Sequence, residues 1–209
     1  MPPPVPEHCP YTAFFCEESV WWLAHRLEES GVALADMEVV FLCNPDMSVL
    51  LLEQRAAAAG RPMVWDYHVI LRLRDAQGSW VFDRDSRLPC PLPCAEYLAA
   101  TFPPQARLRP GLRTWFRSIP AADYLACFRS DRSHMLGRIA DNAFPAYPPL
   151  APPPGSPAVD LAEYWDFGRD LAGTRLTRDI SALCRPAQVG RDGADPHRPG
   201  WHDAAHLAE

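Results

Sequence analysis

The sequence predicts one mixed domain of α/β or α+β class. Three observations carry that expectation: helical periodicity after Cys16, a hairpin of aromatic and branched residues around Asp75-Ala-Gln-Gly78, and shorter helical and extended segments with no internal repeat. A chain of 209 residues can bury roughly 70% of the surface its unfolded form exposes, so one core suffices. The expected domain spans 1–185, with 186–209 as a polar tail.

Residues 1–10 hold five Pro and read as an extended arm. From Cys16 to Ser30 the pattern turns helical. Val20, Leu23, Ala24 and Leu27 recur on one face, and Gly31 offers a stop. Glu17 and Glu18 place negative charge in the first turn, where it favours the helix dipole. Glu38–Cys43 is an apolar strand closed by Asn44-Pro45. Leu50–Ala59 is expected as a short helix ended by Gly60. The hairpin follows, with Val64–Arg74 and Trp80–Asp85 as arms and 75–78 as the turn. Residues 93–102 are expected to be helical, Trp115–Ile119 extended and Ala122–Phe128 helical. Seven prolines in thirteen positions make 145–157 a loop, and a helix or strand pair is expected within 159–184.

Hydrophobic residues are 48% of the chain and charged residues 22%, ordinary for a soluble domain. No apolar run approaches the ~20 residues that cross a bilayer, and the amino terminus lacks a signal's basic start and apolar core. The expected location is the cytoplasm, with no membrane partner. All 20 basic residues are Arg, which excludes Schiff-base chemistry and a phosphate-loop Lys. A net charge of −6 argues against a nucleic-acid surface. The four Arg within 107–117 read as a solvated face. Seven irregularly spaced Cys make a poor disulfide framework. Cys90 and Cys94 lack the paired partners of a zinc site, and His202-Asp-Ala-Ala-His206 lies in the polar tail. No metal and no cofactor are expected, and the chain is expected to be a monomer.

The chemistry begins in the hairpin. Alternation puts Asp66, His68 and Ile70 on one strand face. With the turn at 75–78, position 68 falls opposite 85 and 70 opposite 83, so Asp83 and Asp85 both lie on the His68 face. Either carboxylate can then fix the imidazole tautomer and favour its charged form. Cys16 begins a helix, where backbone N–H groups and the dipole stabilise a thiolate and lower its pKa. The same helix start offers donors for an oxyanion. A thiol, an imidazole and an orienting carboxylate together make a nucleophilic hydrolase. The competing reading is a buried structural Cys and a core His. No G-x-S-x-G, phosphate loop or H-E-x-x-H offers a rival chemistry.

Four segments also carry a family likeness: Tyr11-Thr-Ala-Phe-Phe-Cys-Glu-Glu18, Val64-Trp-Asp-Tyr-His-Val69, Phe82-Asp-Arg-Asp-Ser-Arg-Leu-Pro89 and Asp123–Met135, which includes Ser130-Asp-Arg-Ser-His-Met135. In these the chain resembles the protein N-terminal glutamine amidohydrolases. The resemblance implies a compact relative of the transglutaminase and papain-like hydrolases, with a central, mostly antiparallel sheet flanked by helices. Carried over by motif, it implies Cys16 as nucleophile, His68 as base and Asp83, rather than Asp85, as orienting acid. It further implies that an N-terminal Gln on a protein or peptide becomes Glu with release of ammonia, through a Cys thioester.

Restriction to a terminal residue implies a group that reads the α-ammonium. Asp66, Asp131, Glu17 and Glu18 are candidates, Asp66 and Asp131 first among them. Trp65, Tyr67 and Phe15 are candidates for the pocket wall. His134 and its neighbours are read as a structural or substrate loop. Phe14-Phe15 departs from the more polar pair the family leads one to expect, and Phe167–Thr174 matches weakly. Two alternatives remain at this stage: a deamidase, protease or transglutaminase acting on internal Gln, and a catalytically idle module that binds protein N-termini.

Overall fold

The computed structural model describes residues 2–75 and 78–184; the expected tail 186–209, with His202 and His206, lies outside them. The elements in chain order are α1 (Cys16–Glu29), β1 (Met37–Cys43), β2 (Val49–Leu51), β3 (Met63–Trp65), β4 (His68–Asp75), β5 (Gly78–Phe82) and β6 (Leu92–Pro93). There follow α2 (Cys94–Thr101), β7 (Trp115–Pro120), α3 (Ala121–Cys127), β8 (Phe128–Arg129), β9 (Val159–Asp160), α4 (Leu161–Trp165) and β10 (Arg175–Thr177). Six strands form one sheet in the order β10-β7-β1-β4-β5-β6, with antiparallel pairing throughout.

β1 is apolar at every position but Glu38 because both faces of the sheet are covered. Val39, Phe41 and Cys43 pack with Val20, Leu23 and Leu27 of α1, Tyr124 of α3 and Tyr164 of α4. Val40 and Leu42 face the other way, onto Val49, Leu51, Tyr97 of α2 and Phe102. A strand buried on both sides loses the polar alternation of a half-exposed one. Burial of these side chains, at about 25 cal/mol per Å² of apolar surface, is what drives the sheet and helices together.

The expected hairpin register holds for Leu71↔Phe82 through Asp75↔Gly78. It stops there: β5 ends at Phe82, so the extrapolated pairs 68–85 and 70–83 do not form. Asp66 likewise lies outside β4, in the link from β3, and does not share a strand face with His68. Leu50–Ala59 is not a helix. Val49–Leu51 pairs with Met63–Trp65 as a small antiparallel sheet, and Glu53 takes a left-handed φ of 56°, which ends any helical path. Tertiary hydrogen bonds decide this segment: Arg55 N–H binds Asp85 O at 2.8 Å, and Arg87 N–H binds Glu53 O at 2.7 Å.

The basic run is also corrected at one position. Arg107, Arg109 and Arg113 are exposed, but Arg117 is buried and donates to the carbonyls of Glu163, Asp166 and Arg169 at 2.7–3.0 Å. Its guanidinium anchors the C-terminal segment to the sheet. No helix of the described residues is long and apolar enough to cross a membrane.

Candidate active site

At the end of the sheet where β4 begins, three segments converge. The left-handed Phe14 (φ 70°) turns the chain sharply into α1, and such a conformation costs a non-Gly residue on the order of 1 kcal/mol. Strain of this kind gathers at functional sites. It sets Cys16 as the first helical residue against the start of β4, where the Val69 N–H is directed at the sulfur. His68 is the first residue of β4, and Asp83 is the first residue after β5.

His68 Nε2 and Asp83 Oδ1 lie 3.0 Å apart, both side chains 2% exposed. Asp83 is held from every side. Tyr97 O–H donates to Oδ2 at 2.8 Å, Gln54 Nε2 to Oδ2 at 3.2 Å, and the Asp85 N–H to Oδ1 at 3.0 Å. Burial works to raise the Asp83 pKa, but the His68 charge and these donors outweigh it and hold the carboxyl below 3.8. Burial likewise works to lower His68, yet Asp83, with Asp85 and Glu17, raises it above 6.5. With Asp83 ionised, Nε2 of the neutral ring carries the hydrogen, and Nδ1 is left as the acceptor. Trp65 stacks on the imidazole at 5.8 Å and donates to Gln54 Oε1 at 3.2 Å. Gln54 thus links the ring's stacking partner to its carboxylate.

Cys16 and His68 open on one cavity of about 270 Å³, whose wall also includes Phe14, Trp65, Asp66, Tyr67, Asp85 and His134. Burial, then Glu17 and Asp85, push the Cys16 thiol well above 9.0. The direction is opposite to the one expected from the helix start, because desolvation outweighs the dipole. Behind it, Glu17 Oε2 lies 3.6 Å from Sγ and accepts from Tyr67 O–H at 2.9 Å. His134 Nε2 meets the same Tyr67 oxygen at 3.2 Å. Burial raises the Glu17 carboxyl from 4.5 to about 8, while burial lowers His134. A thiol and a carboxylate-held imidazole on the wall of one cavity are groups whose chemistry could attack an amide.

The family model described as N-terminal glutamine amidase matches residues 11–177. The chain belongs to the N-terminal glutamine amidase family. It is similar to the protein N-terminal glutamine amidohydrolase of Danio rerio, with 34% identity over 161 residues, 75% of this chain and 80% of that one. It is also similar to the Bos taurus protein of that name, 31% identical over 77% of this chain and 75% of that one. A third, from Drosophila willistoni, is 36% identical over 68% of this chain and 72% of the relative.

Within this glutamine amidase, the other residues singled out from sequence divide. Trp65, Tyr67 and Asp66 line the cavity, although Asp66 is paired with Arg138 at 3.1 Å. Phe15 is fully buried against Phe144; its neighbour Phe14 takes the wall position instead. Glu17 is fully buried behind the sulfur. Glu18 is fully buried too, gripped by Arg132. Asp131 is exposed and accepts from the Ser133 N–H at 2.9 Å, outside the cavity wall.

Sequence reasoning missed Gln54 and Tyr97, the donors to Asp83, and Tyr11, whose O–H donates to Asp85 at 2.6 Å. A signal for one group was present. Cys-Glu-Glu and Asp-Arg-Ser-His are complementary in charge, and the structure joins them as Glu18 with Arg132 and Glu17 with His134.

Proposed function

We propose that this protein hydrolyses the side-chain amide of an N-terminal glutamine on proteins or peptides, yielding glutamate and ammonia, with Cys16 as nucleophile, His68 as proton carrier and Asp83 as orienting acid. The observation that carries the reading is that Cys16 and His68 line one cavity while Asp83 engages Nε2 of the imidazole, which leaves Nδ1 free of that carboxylate. The curated relatives are named for this reaction.

The chemistry runs as follows. His68 Nδ1 takes the Cys16 proton as the sulfur attacks the carboxamide carbon, because the resting thiol is a weak nucleophile. Backbone donors at the α1 start, the Cys16 N–H among them, hold the oxyanion. Asp83 stabilises the imidazolium, which then protonates the departing nitrogen. Ammonia leaves and a thioester remains. Water, deprotonated by His68, attacks it and releases glutamate. The Cys-on-helix and His-on-strand arrangement supports kinship with the transglutaminase and papain-like hydrolases. Trp65 and Tyr67 are proposed as cavity walls, with Asp66 beside them; Glu17, Phe15 and Asp131, the other substrate-binding candidates from the sequence, lie off the wall. We further propose that the enzyme acts as a cytoplasmic monomer without nucleic-acid or membrane partners.

Ammonia release from Gln-X-X, acetyl-Gln-X-X and Asn-X-X peptides tests the assignment. Turnover confined to the first peptide is expected. Comparable rates on the acetylated peptide would instead identify an internal-glutamine deamidase or a related thiol enzyme, and binding without ammonia an idle recognition module.

A further inference from the structure

An enzyme confined to N-terminal glutamine must bind a cation close to its nucleophile. Four bonds separate the α-nitrogen from the carboxamide carbon, so the two lie about 5 Å apart at most by standard bond lengths. The carboxylate that reads the ammonium therefore stands close to the reacting sulfur and imidazole, on the cavity wall.

Most acidic groups nearby are committed elsewhere. Asp83 is engaged by His68, Tyr97, Gln54 and the Asp85 N–H. Glu18 is held by both arms of Arg132. Asp66 faces Arg138, and Asp131 binds its own loop. Glu17 is fully buried and is not part of the wall. Asp85 is on the wall beside Cys16 and His68, and its carboxylate lies within 4.8 Å of the ligating atoms of His68 and Asp83. Tyr11 O–H takes Oδ1 at 2.6 Å, which leaves Oδ2 to accept from a ligand.

We propose that Asp85 is the specificity-determining residue of this site: its carboxylate receives the substrate's α-ammonium, and Tyr11 positions it. The inference rests on the glutamine amidase reading above. An ammonium hydrogen-bonded to Asp85 would stand on the wall that also carries Cys16 and His68, and a glutamine side chain reaches about 5 Å from it. An acetylated N-terminus offers neither charge nor three donors, and strands a buried carboxylate. Burial also raises the Asp85 pKa, so an arriving cation gains a partner that bulk water has already given up. Tyr11 is itself held, with the Arg84 guanidinium 4.8 Å over its ring and Arg84 bonded to the carbonyls of Cys9 and Pro10. The Pro-rich arm thereby becomes part of the substrate site.

Three measurements test this. First, Asp85→Asn is assayed for ammonia release from a Gln-X-X peptide. KM is expected to rise about 10- to 100-fold, the worth of one charged hydrogen bond, with kcat changed far less. Second, both the amine and the acetylated peptide are titrated into Cys16→Ala and into Cys16→Ala/Asp85→Asn by calorimetry. The preference for the free amine is expected to collapse in the double variant. Third, the rate of Cys16 alkylation by iodoacetamide is followed in Asp85→Asn; retention shows that the nucleophile and His68 are intact. An undiminished preference for the amine overturns the proposal, as does a loss of kcat and alkylation together, which would make Asp85 a support for His68. Should Asp85→Asn not fold, Tyr11→Phe carries the test, with a several-fold rise in KM for the amine peptide alone. No ammonia from any Gln peptide in the wild type, with amine preference retained in Cys16→Ala, would remove the glutamine amidase reading and leave Asp85 as an N-terminus reader.

Discussion

Arg132 grips Glu18 through two hydrogen bonds of 2.8 Å, Nε to Oε1 and an Nη to Oε2. Both side chains are buried. The pair ties the first turn of α1, which carries Cys16, to the loop that carries His134. Arg132 itself sits at a left-handed φ of 58° and reaches the Pro145 and Pro148 carbonyls at 3.3 Å.

Removing one partner strands the other's charge in the interior, which typically costs about 3–5 kcal/mol. Arg132→Met is therefore expected to lower unfolding stability by that amount in urea. Arg132→Lys is expected to recover only part, because an ammonium cannot reproduce the two-pronged contact. A change below about 1 kcal/mol in Arg132→Met would show that the pair does not hold the loop.

Cys16→Ala and His68→Ala are expected to reduce ammonia release to background while leaving a folded far-UV spectrum; the denaturation midpoint should stay near wild type for Cys16→Ala and fall for His68→Ala, which leaves the buried Asp83 carboxylate without its partner. Cys16 is a small side chain at a cavity, so its loss removes little packing. Near wild-type turnover in either variant would end the assignment of these two residues.

The pH dependence follows from the sign of the His68 shift. A base must be neutral to accept the thiol proton, and His68 titrates above 6.5. The acid limb of kcat/KM is thus expected above pH 6.5, with activity rising as pH rises through it. Asp83→Asn removes the charge that offsets burial. The limb should then move to lower pH, while the plateau falls by as much as ~10⁴, the scale known for a mis-held imidazole. An acid limb at the same pH in both proteins would show that Asp83 does not set the His68 charge.

Parts of this were legible in the residues because they depend on local pattern. The α1 periodicity, the apolar β1 and the upper hairpin each follow from spacing alone, and the structure agrees with them. The choice between Asp83 and Asp85 was not legible in the strand spacing and came only with the family resemblance. It turns on where β5 stops, and that is decided by contacts from elsewhere: Asp85 O receives the Arg55 N–H, and Arg84 is pulled to the Pro-rich arm. Gln54 escaped notice for the same reason. In Leu50–Ala59 the helical propensity of Leu, Glu, Gln and Ala outvoted the tertiary pairing that wins in the fold. The thiol shift was misjudged because sequence reveals a helix start but not the depth at which it is buried.

Glu17 supplies a last prediction. Its carboxyl is fully buried, and burial, then Glu18, raise it from 4.5 to about 8, against the hydrogen bonds from its own N–H, Tyr67 and Cys16. A carboxyl raised in the folded state adds stability that is complete below the unfolded value and is lost as pH rises through the folded one. Each unit is worth about 1.4 kcal/mol, so the fold should weaken by several kcal/mol between pH 4.5 and 8. Glu17→Gln keeps the shape and cannot ionise. Its stability should change less over this window, and it should exceed wild type most at the alkaline end. Urea denaturation of both proteins at several pH values measures the difference. Parallel stability curves would mean that Glu17 is already ionised near neutral pH, and that the thiol of Cys16 rests beside a permanent negative charge.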